Sequence, residues 1–335
     1  MRKVLASVYG SVTRLRNKAY DCGIFRARHS PLPVVSIGNL TVGGNGKTPL
    51  TIFLATELES RGWRPVVITR GYGGTVKGPR QVSGSDRPVD VGDEPCLMAH
   101  RFGLTVIVAR DRHRGALFAA ERQLGDIILL DDGFQHRRLS RDIDIVAINI
   151  GTPAARAAIL EGALLPHGLF REDRDLALAR ADIIVCAERQ PESGDPIPSE
   201  ILSVLPSGTS LYRSFLVPGA VTSISDPTHK LSACSIVAFC GIANPDGFYA
   251  TLESLGFTIL KRYAFPDHHP FTDIAGLCDA HPGTPLVCTE KDALKLPPIP
   301  QVFSLTIQTK VYPADALLTE IERRLLGHPR FLGKA

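Results

Sequence analysis

The sequence predicts an α/β protein: a mostly parallel sheet with helices on both faces, plus a second, smaller α/β lobe. Three observations predict it. Continuous Val/Ile/Leu runs such as "LPVVSIGN", "PVVITRGYGG" and "DIILLDDGFQH" alternate with helical segments, as strands buried on both faces of a parallel sheet require. The candidate functional groups of this stretch fall at the carboxyl ends of those runs, where open α/β sheets place their ligands. The same alternation starts again near residue 231, flanked by "TSLYRSFLV" and "VFSLTIQTKVY". Those two flanks are expected to pair as a two-stranded connector.

Composition sets the outer bounds. The chain has 335 residues, 44% hydrophobic and 21% charged, enough for two globular domains and a large core. A net charge of +4 does not argue for nucleic acid, and beyond the basic N-terminus the chain is not basic. The seven cysteines include no C-x-x-C pair and read as reduced, buried thiols. No apolar run approaches the roughly 20 residues that span a bilayer. Nor does a signal-peptide pattern follow the basic start, so the chain is expected on the cytoplasmic side.

The first element is a helix with Val4, Leu5, Val8, Val12 and Leu15 along one stripe. Arg2, Lys3, Arg14 and Arg16 sit around or beside it, and Asp21 is the single acid among residues 1–29. Such a basic amphipathic helix suits an anionic membrane interface; the alternative is a surface helix packed on its own domain. Next, "LPVVSIGN" feeds the loop Thr41, Val42, Gly43, Gly44, Asn45, Gly46, Lys47, Thr48, and a helix follows. A phosphate-binding loop reads Gly, four residues, then Gly-Lys-Ser/Thr. Here the end matches, while Thr41 stands where the first glycine belongs. Strand, glycine turn and helix are the right setting for backbone N–H groups to cradle phosphates. Lys47 would reach the β- and γ-phosphates, and the Thr48 hydroxyl would ligate Mg²⁺. The fold class is thus P-loop NTPase-type.

Further along, "DIILLDDGFQH" ends an apolar strand in Asp131 and Asp132, the position from which such enzymes hold Mg²⁺. The alternative is a solvated pair. Arg70 in "ITRGYGG" and Arg110, Arg112 and Arg114 in "VARDRHRG" offer guanidinium groups for phosphate. A hydroxyl acceptor would also need a base. Asp93 and Glu94 in "VGDEPCLMAH" are candidates, although Asp93 alone reads more readily as a helix cap. Asp267, His268 and His269 in "FPDHHPFT" are the others. "TEKD" at 289–292 is a near miss to the Asn/Thr-Lys-x-Asp of guanine readers, with Lys291 directly beside Asp292.

Taken in order, "SIGNLTVGGNGKTP", "TRGYGG", "VGDEPCLMA", "ILLDDGFQHRRL", "LLPHGLFRE", "FPDHHPF" and "TEKDALKL" resemble the tetraacyldisaccharide 4′-kinase (lipid A 4′-kinase) family, from about residue 15 to about residue 300. The resemblance implies transfer of the ATP γ-phosphate to the 4′-hydroxyl of a tetraacyldisaccharide 1-phosphate, at the cytoplasmic face of the inner membrane. ATP and Mg²⁺ are the implied cofactors, with no nucleic acid and no obligate protein partner. It also implies that Lys47 and Thr48 serve the nucleotide and metal, that Asp131 and Asp132 serve the metal, and that Asp93 acts as base with His268 as its partner. Arg70, Arg112 and Glu172 match positions near the active site. His167 and Phe170 depart from the Ala and Leu that the family more often carries. The choice of His268 over His269 rests on the family's Asp-His pairing. The expected organisation is a membrane-associating helix at 1–30, a P-loop kinase domain at 31–210, connector strands and the smaller lobe at 211–312, and a C-terminal helix and tail at 313–335. The competing reading is a GTPase-type switch or nucleotide-dependent chaperone without a lipid acceptor.

Overall fold

The computed structural model describes residues 1–43, 46–188, 196–242 and 244–327. Gly44 and Asn45 of the phosphate loop lie outside these residues. The strands are β1 (Val34–Asn39), β2 (Pro65–Thr69), β3 (Arg80–Gln81), β4 (Thr105–Val108), β5 (Ile127–Asp131) and β6 (Ile143–Asn149), followed by β7 (Ile183–Glu188), β8 (Ser210–Ser223), β9 (Ser235–Cys240), β10 (Thr258–Ala264), β11 (Leu286–Thr289) and β12 (Val302–Tyr312). They form one 12-stranded sheet in the order β10-β9-β11-β12-β8-β7-β6-β1-β5-β2-β4-β3. Every ladder is parallel except β3 with β4 and β8 with β12.

The two flanking segments do pair, with Phe303 opposite Ser223 and Tyr312 opposite Arg213. They pair within the sheet. Because β8 also pairs with β7 and β12 with β11, the antiparallel seam joins two parallel halves into one continuous surface.

Burial follows from the composition of the strands. All residues of β1, β2 and β5 are buried, as central parallel strands covered on both faces must be. On one face the helix Lys47–Ser60 inserts Leu50, Leu54 and Leu58 beside Val35, Ile37 and Val67. The helix Ala314–Leu326 adds Leu317, Leu318, Ile321 and Leu325 to the same core. Its Glu322 accepts from Arg61 Nη1 and Trp63 Nε1, both at 3.0 Å, fastening the end of the chain to the phosphate-loop helix. The β9–β12 half has cores of its own on both faces, including Phe248 and Leu252 on one and Phe239, Phe271 and Ile274 on the other.

The N-terminal helix Arg2–Asp21 behaves differently. It buries only Ala6 and Gly10, while Val4, Leu5, Val8, Val12 and Leu15 are 51–71% exposed. A Cβ on Gly10 would stand 2.5 Å from Leu164 Cδ1, so a small residue is what lets the helix lie against the body. The apolar stripe therefore does not pack on its own domain. Polar contacts hold the helix instead: Tyr9 Oη donates to the Arg171 carbonyl at 2.7 Å, Asn17 Nδ2 to Glu172 at 2.7 Å and Arg16 Nη2 to the Gln135 carbonyl at 2.9 Å.

The thiols correct one expectation. All seven cysteines are free, but only Cys96, Cys186, Cys240 and Cys288 are buried. Cys22, at the end of the exposed N-terminal helix, is itself exposed.

Candidate active site

The phosphate loop leaves β1 and opens the helix Lys47–Ser60. Gly43 and Gly46 have φ of 104° and 73°, backbone that side-chain-bearing residues adopt only at a cost. Thr41 is explained by its pairing. It forms an antiparallel bridge with Phe170, while Val42 N–H donates to the Leu169 carbonyl and Arg171 N–H to the Leu40 carbonyl. Where the general loop has its first glycine, this one has Thr41 bridged to Phe170, and the glycines with positive φ come later, at Gly43 and Gly46. That ladder also brings Arg171 and Glu172 to the loop.

Below the loop, Asp131 ends β5 beside β1. Its Oδ1 accepts from Thr48 Oγ1 at 3.5 Å and Thr51 Oγ1 at 3.3 Å, and its Oδ2 from Thr69 Oγ1 at 3.3 Å. Burial, with the charges of Glu94 and Asp132 nearby, pushes its pKa up to about 7. A carboxylate so placed is short of positive charge. Asp132 goes the other way. Burial pulls its pKa up, but Lys47 at 3.5 Å and Arg171 at 3.0 Å more than offset that, holding it below the usual carboxylate range. Arg112 is buried, with its Nε unpartnered; burial lowers its pKa, while Asp131 and Asp132 work against the shift. Arg70 is exposed and lines the same cleft, whereas Arg110 and Arg114 sit at exposed positions and do not line it.

Across the cleft stands a second cluster. Asp93 is 7% exposed in the short helix Asp93–Cys96, whose N-cap is Gly92. Asp93 is therefore not the cap that its local sequence suggests. His268 Nδ1 lies 2.9 Å from Asp93 Oδ2, bridging 175 residues of chain. His269 turns away, its ring stacked on Phe265. Among the described residues, four non-glycine positions have positive φ, and two of them are Asp132 at 51° and His268 at 64°. Strain of about 1–3 kcal/mol per residue is thus held where the chemistry gathers.

Glu172 is 3% exposed and ties three elements together. It accepts from Asn17 of the N-terminal helix, from Arg180 at 2.7 Å and from Gln135 at 3.2 Å. Its surroundings make it a brace. No site role for Arg171, Thr51, Thr69, Lys291 or Lys295 is legible in the sequence alone. Arg171, Thr69 and both lysines lay in quoted motifs, but only the fold tells what each one touches.

Asp292 of "TEKD" removes the support for guanine reading. It is fully buried, accepts from Gly241 N–H at 3.0 Å and Thr289 Oγ1 at 2.7 Å, and belongs to a capping turn. No face of it is left for a base.

Phosphate loop, strand-end carboxylates and His268, the partner of Asp93, all open on one cleft of about 1820 Å³. A family model described as Tetraacyldisaccharide-1-P 4'-kinase matches residues 2–326. The chain belongs to the tetraacyldisaccharide 4′-kinase family. It is a kinase. The family's enzyme from Syntrophus aciditrophicus is 38% identical over 331 residues, covering 89% of this chain and 86% of its own length. That from Geobacter metallireducens is 36% identical, with 96% and 97% covered. Among solved structures, an "apo" form LpxK from Aquifex aeolicus in complex with ATP matches with a TM-score of 0.79 at 29% identity, covering 96% of this chain and 97% of that one.

Proposed function

We propose that this chain transfers the γ-phosphate of ATP to the 4′-hydroxyl of a tetraacyldisaccharide 1-phosphate, with Asp93 as the base and His268 as its partner. One observation carries the assignment of roles: buried Asp93 meets His268 at 2.9 Å, and His268 lines a cleft with Lys47, Thr48 and Asp131. The acceptor oxygen attacks the γ-phosphorus and gives its proton to the Asp93 carboxylate, while the bond to the β-phosphate oxygen breaks and ADP leaves. Phosphoryl transfer asks chiefly for positioning and charge stabilisation. Lys47 supplies charge to the β- and γ-phosphates. Arg112, with a buried unpartnered donor, and the exposed Arg70 add positive charge to the same cleft.

The donors around Asp131 fit Mg²⁺. Thr48, Asp131 and Asp132 offer oxygen only, the ligand type this hard ion takes. No group of three or more His, Cys, Asp or Glu residues able to hold a metal occurs among the described residues, in keeping with an ion that completes its shell from phosphate and water. Bound there, Mg²⁺ would neutralise charge developing on the β- and γ-phosphates.

The N-terminal helix supports work at the cytoplasmic face of the inner membrane. Its exposed apolar stripe is edged by Arg2, Lys3, Arg14 and Lys18, and its Tyr9, Thr13, Arg16 and Asn17 line the cleft. Among the described residues no helix is long and apolar enough to cross a membrane. An interfacial helix would bring the cleft to an acceptor anchored by acyl chains. The antiparallel seam of β8 and β12 supports a boundary near residue 211 between kinase domain and smaller lobe.

Incubating the protein with ATP, Mg²⁺ and acylated disaccharide 1-phosphate in micelles tests the reading. The product expected by mass spectrometry carries one added phosphate, on the 4′ oxygen. Folded protein giving no product would overturn it.

A further inference from the structure

The Asp93 carboxylate has company that its proposed role as base does not explain. Lys295 Nζ lies 2.9 Å from Asp93 Oδ2, and Lys291 Nζ lies 3.8 Å from the same oxygen. Only 7% of the Lys295 side chain is exposed. Its ammonium is also 3.2 Å from the His269 carbonyl and 3.5 Å from Asp292 Oδ1. These contacts fix the ammonium from several sides. Both lysines come from the turn that Thr289 caps at the end of β11, on the opposite half of the sheet from Asp93.

The contacts are lopsided. His268, Lys291 and Lys295 all approach Oδ2. Among the described residues no hydrogen bond is made to Oδ1, which leaves that oxygen to take a proton. We propose that Lys295, assisted by Lys291, is the positioning residue that keeps Asp93 ionised and turns Oδ1 toward the acceptor hydroxyl. This rests on Asp93 being the base. A buried carboxylate without a cation tends to stay protonated, and a protonated one cannot accept the hydroxyl proton. Lys295 therefore couples the β9–β12 half of the molecule to the readiness of the base.

Other charged groups surround the pair and bear on its titration. Asp267 pairs with Lys291 at 3.1 Å and stands 3.7 Å from His268 Nε2, and Asp292 shares Lys295. On the Asp93 side, Glu94 is its neighbour in sequence, and the Asp86 and Asp90 charges, like that of Asp93, act on the Cys96 thiol. Asp86 and Asp90 are paired with Arg80 and Arg87, whereas Asp93, Asp267 and Asp292 share Lys291 and Lys295, so losing one ammonium should be felt.

The test is the pH dependence of kcat/KM for Lys295→Met, Lys295→Arg and Lys291→Met, with ATP affinity measured alongside. In Lys295→Met the acid limb should move up by about one pH unit or more. Its rate at pH 7 should fall by about 10–100-fold, with part of the loss recovered at higher pH and ATP affinity unchanged. Lys295→Arg should keep the parental limb, and Lys291→Met should move it upward by less. If Lys295→Met does not fold, the other two variants decide by the same criteria. A loss that is uniform across pH, or a parental rate in Lys295→Met, would overturn the role given to Lys295. Parental activity in Asp93→Asn would instead overturn the base itself, so the two failures are told apart.

Discussion

On one side of the cleft Gly46, Lys47 and Thr48 are consecutive, and Asp131 arrives on the strand that pairs with β1. On the other, Asp93 meets His268 across 175 residues and Lys295 from beyond them. The nucleotide side is a local motif on a buried strand and holds its shape through the cores on that strand's two faces. The base side exists only while the two halves of the sheet stay packed. The difference predicts separable failures: damage to the first removes nucleotide binding, and damage to the second spares it.

Among the variants that separate the two sides, the largest expected effect tests the local one. Lys47→Ala should lower kcat by about 10²–10³-fold, the loss typical of removing one donor to transition-state charge, and should weaken ATP binding in the same titration. Retained ATP affinity would break the comparison. His268→Asn tests the assembled side, with a fall in kcat of about 10–100-fold and an ATP affinity equal to the parent's. Glu172→Gln comes next. Its carboxylate braces Asn17, Arg180 and Gln135, so its loss should raise KM for the lipid several-fold more than KM for ATP. Val8→Asp, in the exposed stripe, should reduce sedimentation with anionic vesicles while leaving turnover in micelles near the parent's.

The smallest effect is on stability. Burial and the Arg112 charge hold the His136 pKa down to about 4, and its Nε2 is buried without a partner. The unfolded chain takes up a proton near pH 6.5 that the folded chain refuses until about pH 4. Stability should therefore fall as pH drops through that window, by about 1–3 kcal/mol, and level off below it. Denaturant midpoints for the parent and His136→Gln would show it, the variant having the flatter slope.

What could be read from the sequence follows the same division. The phosphate loop and Asp131 were legible because strand, turn and helix are contiguous and the chemistry sits at a strand end. Asp93 and His268 were not, since their residue types in isolation suggest a cap and a turn. Only the resemblance of the whole set of motifs named them. Thr41 looked like a defect until the fold showed it bridged to Phe170 without a positive φ, where glycine is not needed. Arg171 was missed for the same reason, its place being set by that ladder. The stripe of the first helix was legible, but which way it faces depended on Gly10 meeting Leu164.

The most direct test of the central claim is a rapid-quench measurement of one turnover by Asp93→Asn, with ATP affinity measured on the same preparation. The account predicts transfer slowed by about 10²–10⁴-fold and ATP binding within about twofold of the parent, a difference of less than 1 kcal/mol. Transfer near the parental rate, or loss of ATP binding together with transfer, would contradict it.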